Sequence, residues 1–167
     1  MNKPLTIIAS LFLGAILVSF GPGEPKKINW MTFEEAVAKS GKKEKPIFID
    51  VYTNWCGWCK VMDRNTFSQP DIIKKINKDF YAVKFNAEQR DIVNFQGREF
   101  KFIPSGRRGY HELAAALMNS RMSYPTVVFL VDSYSKAYPH PGYQKPEAMH
   151  KLLDFYGGGH YKKAKTN

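Results

Sequence analysis

Two cysteines are all this 167-residue chain has, and that scarcity removes several kinds of chemistry at once. Two thiols supply only half of a four-ligand zinc site. His111, His140, His150 and His160 have no ligand-like pairing with each other or with the thiols, so no metal is expected. Acidic residues are also short, with 15 Asp and Glu against 25 Lys and Arg and a formal charge of +10. The basic residues nevertheless come in ones and twos, as at Lys42-Lys43, Lys74-Lys75 and Arg107-Arg108, with no RNA or DNA motif beside them. A solvated basic surface and no nucleic-acid partner are expected, with attraction to acidic partners second. There is no internal repeat or low-complexity tract. An apolar share of 44% excludes a disordered tail protein.

Charge is missing altogether from Leu5 to Phe20. Those 16 residues, behind Lys3 and the amino group, have the make-up of a signal-peptide core and are slightly short for a bilayer span. Residues 1–23 are therefore expected to be a signal peptide or an N-terminal anchor. The remainder would then be exported to a bacterial periplasm, either free or tethered to the membrane through residues 5–20. Ser19-Phe20-Gly21-Pro22-Gly23 lacks a clean small-x-small cleavage site, so both outcomes stay open. No cysteine lies near Gly21 to carry a lipid.

Beyond Gly21-Pro22-Gly23-Glu24-Pro25, residues 27–160 read as one domain and 161–167 as a basic tail. Thr32-Phe33-Glu34-Glu35 has the Thr-x-x-Glu spacing of a capping box, opening a helix that Gly41 ends. Pro46 to Tyr52 is a nearly continuous apolar run, the pattern of a central strand covered on both faces. A helix follows to about Asn65, and Ser68 caps another with Pro70 in its first turn. Phe80 to Asn86 and Thr126 to Val131 read as strands, with a short edge strand near Lys136 to Tyr138. Residues 87–124 read as an insert whose one clear element is a helix from Tyr110 to Met118. Pro146 opens a last helix stopped by three glycines. Strands alternating with helices predict a three-layer α/β domain.

Cys56-Gly57-Trp58-Cys59 sits where the first central strand hands over to a helix. Two thiols three residues apart on a first helical turn lie on one face and can close or open a small disulfide. The free N–H groups there favour a thiolate. Cys56, at the exposed helix end, is the expected attacking sulfur, and Cys59, one turn in and more buried, the resolving one. Half of a metal site and a structural bridge are the rivals, although so short a loop constrains little chain entropy. Asp50 is the other unusual residue, a carboxylate in an apolar strand, costly to bury unless paired or protonated. It is either a proton carrier for Cys59 or an inert acid at the strand's wet end. Trp55 and Trp58 read as an apolar rim about Cys56, with a core position fitting Trp55 better than Trp58. Gly106-Arg107-Arg108-Gly109-Tyr110-His111-Glu112 puts two arginines at a helix start, where cations do not suit the dipole; it reads as a mobile surface turn, with binding of an acidic partner loop or a salt bridge within the insert as the alternatives.

Four features taken together resemble the thioredoxin family: Trp55-Cys56-Gly57-Trp58-Cys59-Lys60, Asp50 six residues before the first cysteine, Lys84 in the next strand, and Tyr124-Pro125-Thr126 before the third. The Trp58 variant is similar to exported thioredoxin-like domains such as the soluble end domain of the transmembrane thiol-disulfide interchange protein. The resemblance implies a thioredoxin-like sandwich with a mixed central sheet from about Trp30 to Tyr156. It implies Lys84 as the charge partner of Asp50, where the residues alone allow equally a lysine snorkelling from a strand face. It also implies a cis-Pro125 beside the cysteines, with the Tyr124 backbone, Gly57 and the two tryptophans meeting substrate. The expected activity is reduction of protein or peptide disulfides by a monomer. Its redox centre is the Cys56–Cys59 pair, without a further cofactor, and an upstream thiol donor resupplies electrons. A non-enzymatic binding module with a stable Cys56–Cys59 bridge is the alternative.

Overall fold

The computed structural model describes residues 27–42 and 45–163; the expected leader at 1–23 and residues 164–167 of the basic tail lie outside them. The central sheet has five strands: β1 (Trp30–Met31), β2 (Ile47–Tyr52), β3 (Tyr81–Asn86), β8 (Thr126–Val131) and β9 (Lys136–Pro141), in the order β1-β3-β2-β8-β9. β1 and β2 run parallel to β3, while β8 is antiparallel to β2 and β9 antiparallel to β8. The sheet is therefore mixed, as expected, with β2 at its centre.

Period-two alternation along β2 divides the molecule. Ile47, Ile49 and Val51 join Val83, Phe85, Val128 and Leu130 in a core under α1 (Phe33–Lys42) and α4 (Glu112–Leu117). Phe48, Val127 and Phe129 point the other way, into a core closed by α2 (Gly57–Asn65), α3 (Pro70–Asp79) and α5 (Pro146–Gly157) through Met62, Ile72, Ile76, Met149 and Leu153. Asp50 falls on this second face, in register with Lys84 on β3 and Val127 on β8, beneath the helix that carries the cysteines.

The local signals hold in most places. Thr32 and Glu35 form the reciprocal capping box, with Glu35 N–H donating to Thr32 Oγ1 at 3.1 Å and Thr32 N–H to Glu35 Oε2 at 3.0 Å. α1 runs one residue past Gly41 to Lys42. α3 is capped from Gln69 without a side-chain bond; Ser68 instead turns its hydroxyl back onto the Arg64 carbonyl. The edge strand is longer than expected and ends in Pro139-His140-Pro141. The domain does not stop at residue 160. Tyr161, in α6 (His160–Lys163), is buried with its ring 5.9 Å from that of Tyr156.

The main departure is the insert, which is largely not helical. It contains two hairpins, β4 (Val93–Phe95) with β5 (Arg98–Phe100) and β6 (Phe102–Ser105) with β7 (Arg108–His111), and only then α4. Gln96 and Gly97 take φ of 50° and 76°, the paired positive values that a two-residue type I′ turn requires. Tyr110 and His111 belong to β7, and His111 starts α4 by accepting the Leu113 N–H on Nδ1 at 3.2 Å. Arg107 and Arg108 are thus at a hairpin tip and not at a helix start.

Candidate redox site

The loop after β2 brings Trp55 and Cys56 to the start of α2, where Cys56 is the N-cap. Its sulfur accepts the Cys59 N–H at 3.0 Å and is bonded to Cys59 Sγ in a disulfide. Sulfur in the N-cap position satisfies one of the helix's orphan donors and lies in the positive end of its field. The expected contrast in burial is absent from this form, since both cysteines are 4% exposed. In the disulfide-bonded form Cys56 Sγ is no more open than Cys59. Among the described residues no cluster of three or more acidic, histidine or cysteine side chains could hold a metal ion.

Asp50 is 1% exposed, within the buried run of β2 and not at a solvent-facing strand end. Lys84 Nζ donates to its Oδ2 at 3.0 Å, so the lysine is a charge partner and not a snorkelling side chain. The same ammonium donates to Asp63 Oδ1 on α2 and sits 5.2 Å from the ring centres of Trp30 and Tyr52 and 5.7 Å from that of Phe67. Burial pushes the Asp50 carboxyl from 3.8 up to about 6, against the pull of the Lys84 charge and hydrogen bond; the Asp63 charge adds to the rise. Burial draws the Lys84 ammonium down, and the two carboxylates more than offset it, leaving its pKa raised. Asp50 Oδ1 is buried without a hydrogen-bond partner among the described residues. Asp63 lies one turn after Cys59 on the same helix face, so the Cys59 side of α2 is the side that covers Asp50.

Beside Trp55, the residue before Cys56, the Tyr124–Pro125 bond is cis, the geometry the resemblance implies. Tyr124 meets Trp55 edge to face at 5.8 Å, and Tyr143 lies 5.7 Å from Trp58. Trp55 is 52% exposed and Trp58 61%, so both are rim residues; a core position for Trp55 is ruled out. Trp55 is held from three directions. Its Nε1–H donates to Glu88 Oε1 at 3.0 Å, the Arg108 guanidinium stacks at 4.4 Å, and Tyr124 closes the third side. Gly57 has open space around it, with nothing within 4 Å of where a side chain would start.

Sequence reasoning did not assign Asp63, Glu88, Arg108 or Tyr143 to this region. Asp63 carried a usable signal, its i+4 spacing from Cys59 on a helix already expected. Glu88, Arg108 and Tyr143 arrive from distant hairpins and loops, and nothing local marks them.

A protein-family model described as "Thioredox_DsbH: Protein of unknown function, DUF255" matches residues 23–156. Uncharacterized protein B0495.5 of Caenorhabditis elegans is 33% identical over 84 residues, which are 50% of this chain and 12% of that protein. The chain thus spans about an eighth of the length of that curated relative. A solved DsbH oxidoreductase is similar with a TM-score of 0.58 and 17% identity, over 87% of this chain and 94% of its own. A thioredoxin from Thermus thermophilus gives 0.54 at 17% identity, over 76% of this chain and 85% of its own. Both are likenesses of fold.

Proposed function

The chain belongs to the Thioredox_DsbH family, and on that premise we propose that it reduces protein or peptide disulfides outside the cytoplasm by exchange at Cys56 and Cys59. The Cys59 N–H directed at Cys56 Sγ at a helix start carries this reading, because it stabilises negative charge on the sulfur that must attack.

In the reduced protein the Cys56 thiolate attacks one client sulfur. A Cys56–client bond forms, and the other client sulfur leaves as a thiolate that takes a proton from solvent. Cys59 then gives its proton to Asp50 and attacks Cys56 Sγ. The Cys56–Cys59 bond closes, and the second client sulfur departs as a thiolate. Two electrons have passed from the protein to the client. An upstream thiol donor, itself oxidised to a disulfide, restores the pair. Asp50 suits the proton step because burial keeps its affinity for a proton close to neutral pH, and Lys84 steadies its ionised form. The exposed Trp55 and Trp58 rings, with the Tyr124 backbone, offer an apolar rim and a strand-pairing edge to an extended client. Monomeric action, and the leader as the route of export, complete the proposal.

Single-turnover mixing of the pre-reduced protein with a disulfide peptide tests it. Cys56→Ser should abolish the reaction, and Cys59→Ser should trap a covalent mixed disulfide. A parent no faster than Cys56→Ser would favour the stable-bridge binding module, to which the 4% exposure of both cysteines lends some support. Equilibration with glutathione decides direction: a reductase should lie nearer about −270 mV than the about −120 mV of a strong oxidant. Fractionation should place the protein outside the cytoplasm, and cytosolic recovery would remove that part.

A further inference from the structure

Next to Trp55 the insert builds a cleft that the exchange chemistry does not require. It has a volume of about 240 Å³, and its lining includes Glu88, Arg90, Phe102, Arg107 and Arg108. Three guanidinium groups and one carboxylate give it a net charge of +2 (three minus one). The carboxylate is already engaged, since Glu88 Oε1 accepts the Trp55 Nε1–H and lies 3.9 Å from Arg108. Arg90 is stacked on Phe102 at 4.6 Å, and neither it nor Arg107 has an ion-pair partner among the described residues. Gly109 fixes the wall. A Cβ there would lie 2.3 Å from Phe102 Cζ, so only glycine lets the ring close against the strand. Gly106, with φ of 57°, turns the hairpin tip so that Arg107 stands at the mouth.

We propose that this cleft binds a carboxylate side chain of the client, a few residues from its scissile disulfide. The proposal rests on the disulfide-exchange reading and deepens it to a class of substrate, proteins with Asp or Glu flanking the reacting cysteine. Position argues for it. Arg108 stacks on the residue preceding Cys56, and Tyr124, beside the cis-proline, touches the same tryptophan. A client strand paired with the Tyr124 backbone therefore passes the cleft within about two to four residues of its cysteine, at ~3.3 Å per residue. Arginine suits the task because its planar fork holds a carboxylate by two parallel hydrogen bonds.

The test uses peptides with one cysteine capped by 2-mercaptoethanol as a neutral disulfide and with Glu, Gln or Lys placed two to four residues away. Pre-reduced protein is mixed with each, and the second-order rate is read from tryptophan fluorescence. At one of these positions the Glu peptide should react on the order of tenfold faster than the Lys peptide at low salt, with the gap closing by about 0.5 M. Arg107→Glu, at the exposed tip, should erase or reverse that preference. Equal rates for Glu and Lys peptides, or a preference that survives Arg107→Glu, overturn the proposal and leave disulfide exchange intact. If no peptide reacts, the exchange reading fails, and the cleft is judged by a Ser-for-Cys Glu peptide added to the oxidised protein. Shifts of the Arg107 and Arg108 side-chain N–H signals that disappear with the Lys peptide support the cleft, and their absence overturns it.

Discussion

Replacing Asp50 by Asn should tilt the pH dependence of stability. Asn keeps the shape of the side chain and removes its proton equilibrium. In the folded protein burial moves this carboxyl from 3.8 up to about 6. At about 1.36 kcal/mol per pH unit, that difference corresponds to ~3 kcal/mol. The folded state holds the proton more tightly than the unfolded chain, so stability is intact below pH 3.8. It falls as pH rises through the window up to about 6, where the unfolded state ionises first, and the loss is complete above it. Subtracting the variant's stability from the parent's should give a difference that drops by ~3 kcal/mol between pH 3.5 and pH 7.5. The subtraction cancels the titrating groups that do not feel Asp50 and any constant offset from the new amide, leaving Asp50 with its coupling to Lys84 and Asp63. Urea unfolding of the oxidised protein, followed by tryptophan fluorescence across that range, measures it. Parallel curves would refute a proton held on Asp50 towards neutrality. A difference that rises with pH would mean that the Lys84 ion pair outweighs burial. The same variant should slow Cys59 attack on the mixed disulfide at pH 7 and leave the first exchange step less affected.

Two further substitutions probe the supports of the site. Lys84→Met removes the cation that bridges Asp50 and Asp63 and should cost ~3–5 kcal/mol at pH 8. It should also carry the Asp50 titration upward, visible as a later pH onset of mixed-disulfide resolution; an unmoved onset would disconnect the lysine from the acid. Gly109→Ala forces a Cβ to within 2.3 Å of Phe102 and 2.5 Å of the Ile103 carbonyl at a φ of +148°. A loss of ~2–4 kcal/mol is expected, against ~1 kcal/mol for Gly97→Ala, where φ is +76° but nothing lies within 4 Å. Equal losses in urea unfolding would show that the hairpin yields freely at Gly109.

The sheet and its two helical layers were legible because their signals are local and repeated. Pro46 to Tyr52 could be read as a buried strand from its unbroken apolar run, and α3 and α5 from the three- and four-residue spacing of Ile72, Ile73, Ile76, Met149, Leu153 and Tyr156. The insert was not. Its strands are three or four residues long, too short for period-two alternation to stand out, and the I′ turn uses Gln96-Gly97 in place of the more telling Asn-Gly. β1 is two residues long and exists only because β3 offers it an edge. The cysteines announced themselves by spacing and context, and Asp50 by its cost in an apolar strand. The Asp50–Lys84 contact needed the family pattern, since register between β2 and β3 cannot be read from either strand alone. The grip on Trp55 comes from Glu88, Arg108 and Tyr124, residues 33, 53 and 69 positions along the chain from it, and only the folded chain brings them together.

Pro139 and Pro141 on β9 face β8 in register with Val128 and Thr126. A proline in such a strand has no N–H to offer the outside, so this rim presents gaps where a docking strand would seek donors. The opposite rim, β1, gives only two residues of backbone. Lateral growth of the sheet is thus discouraged at both margins, and side-by-side stacking of copies through these edges finds few backbone donors to pair with.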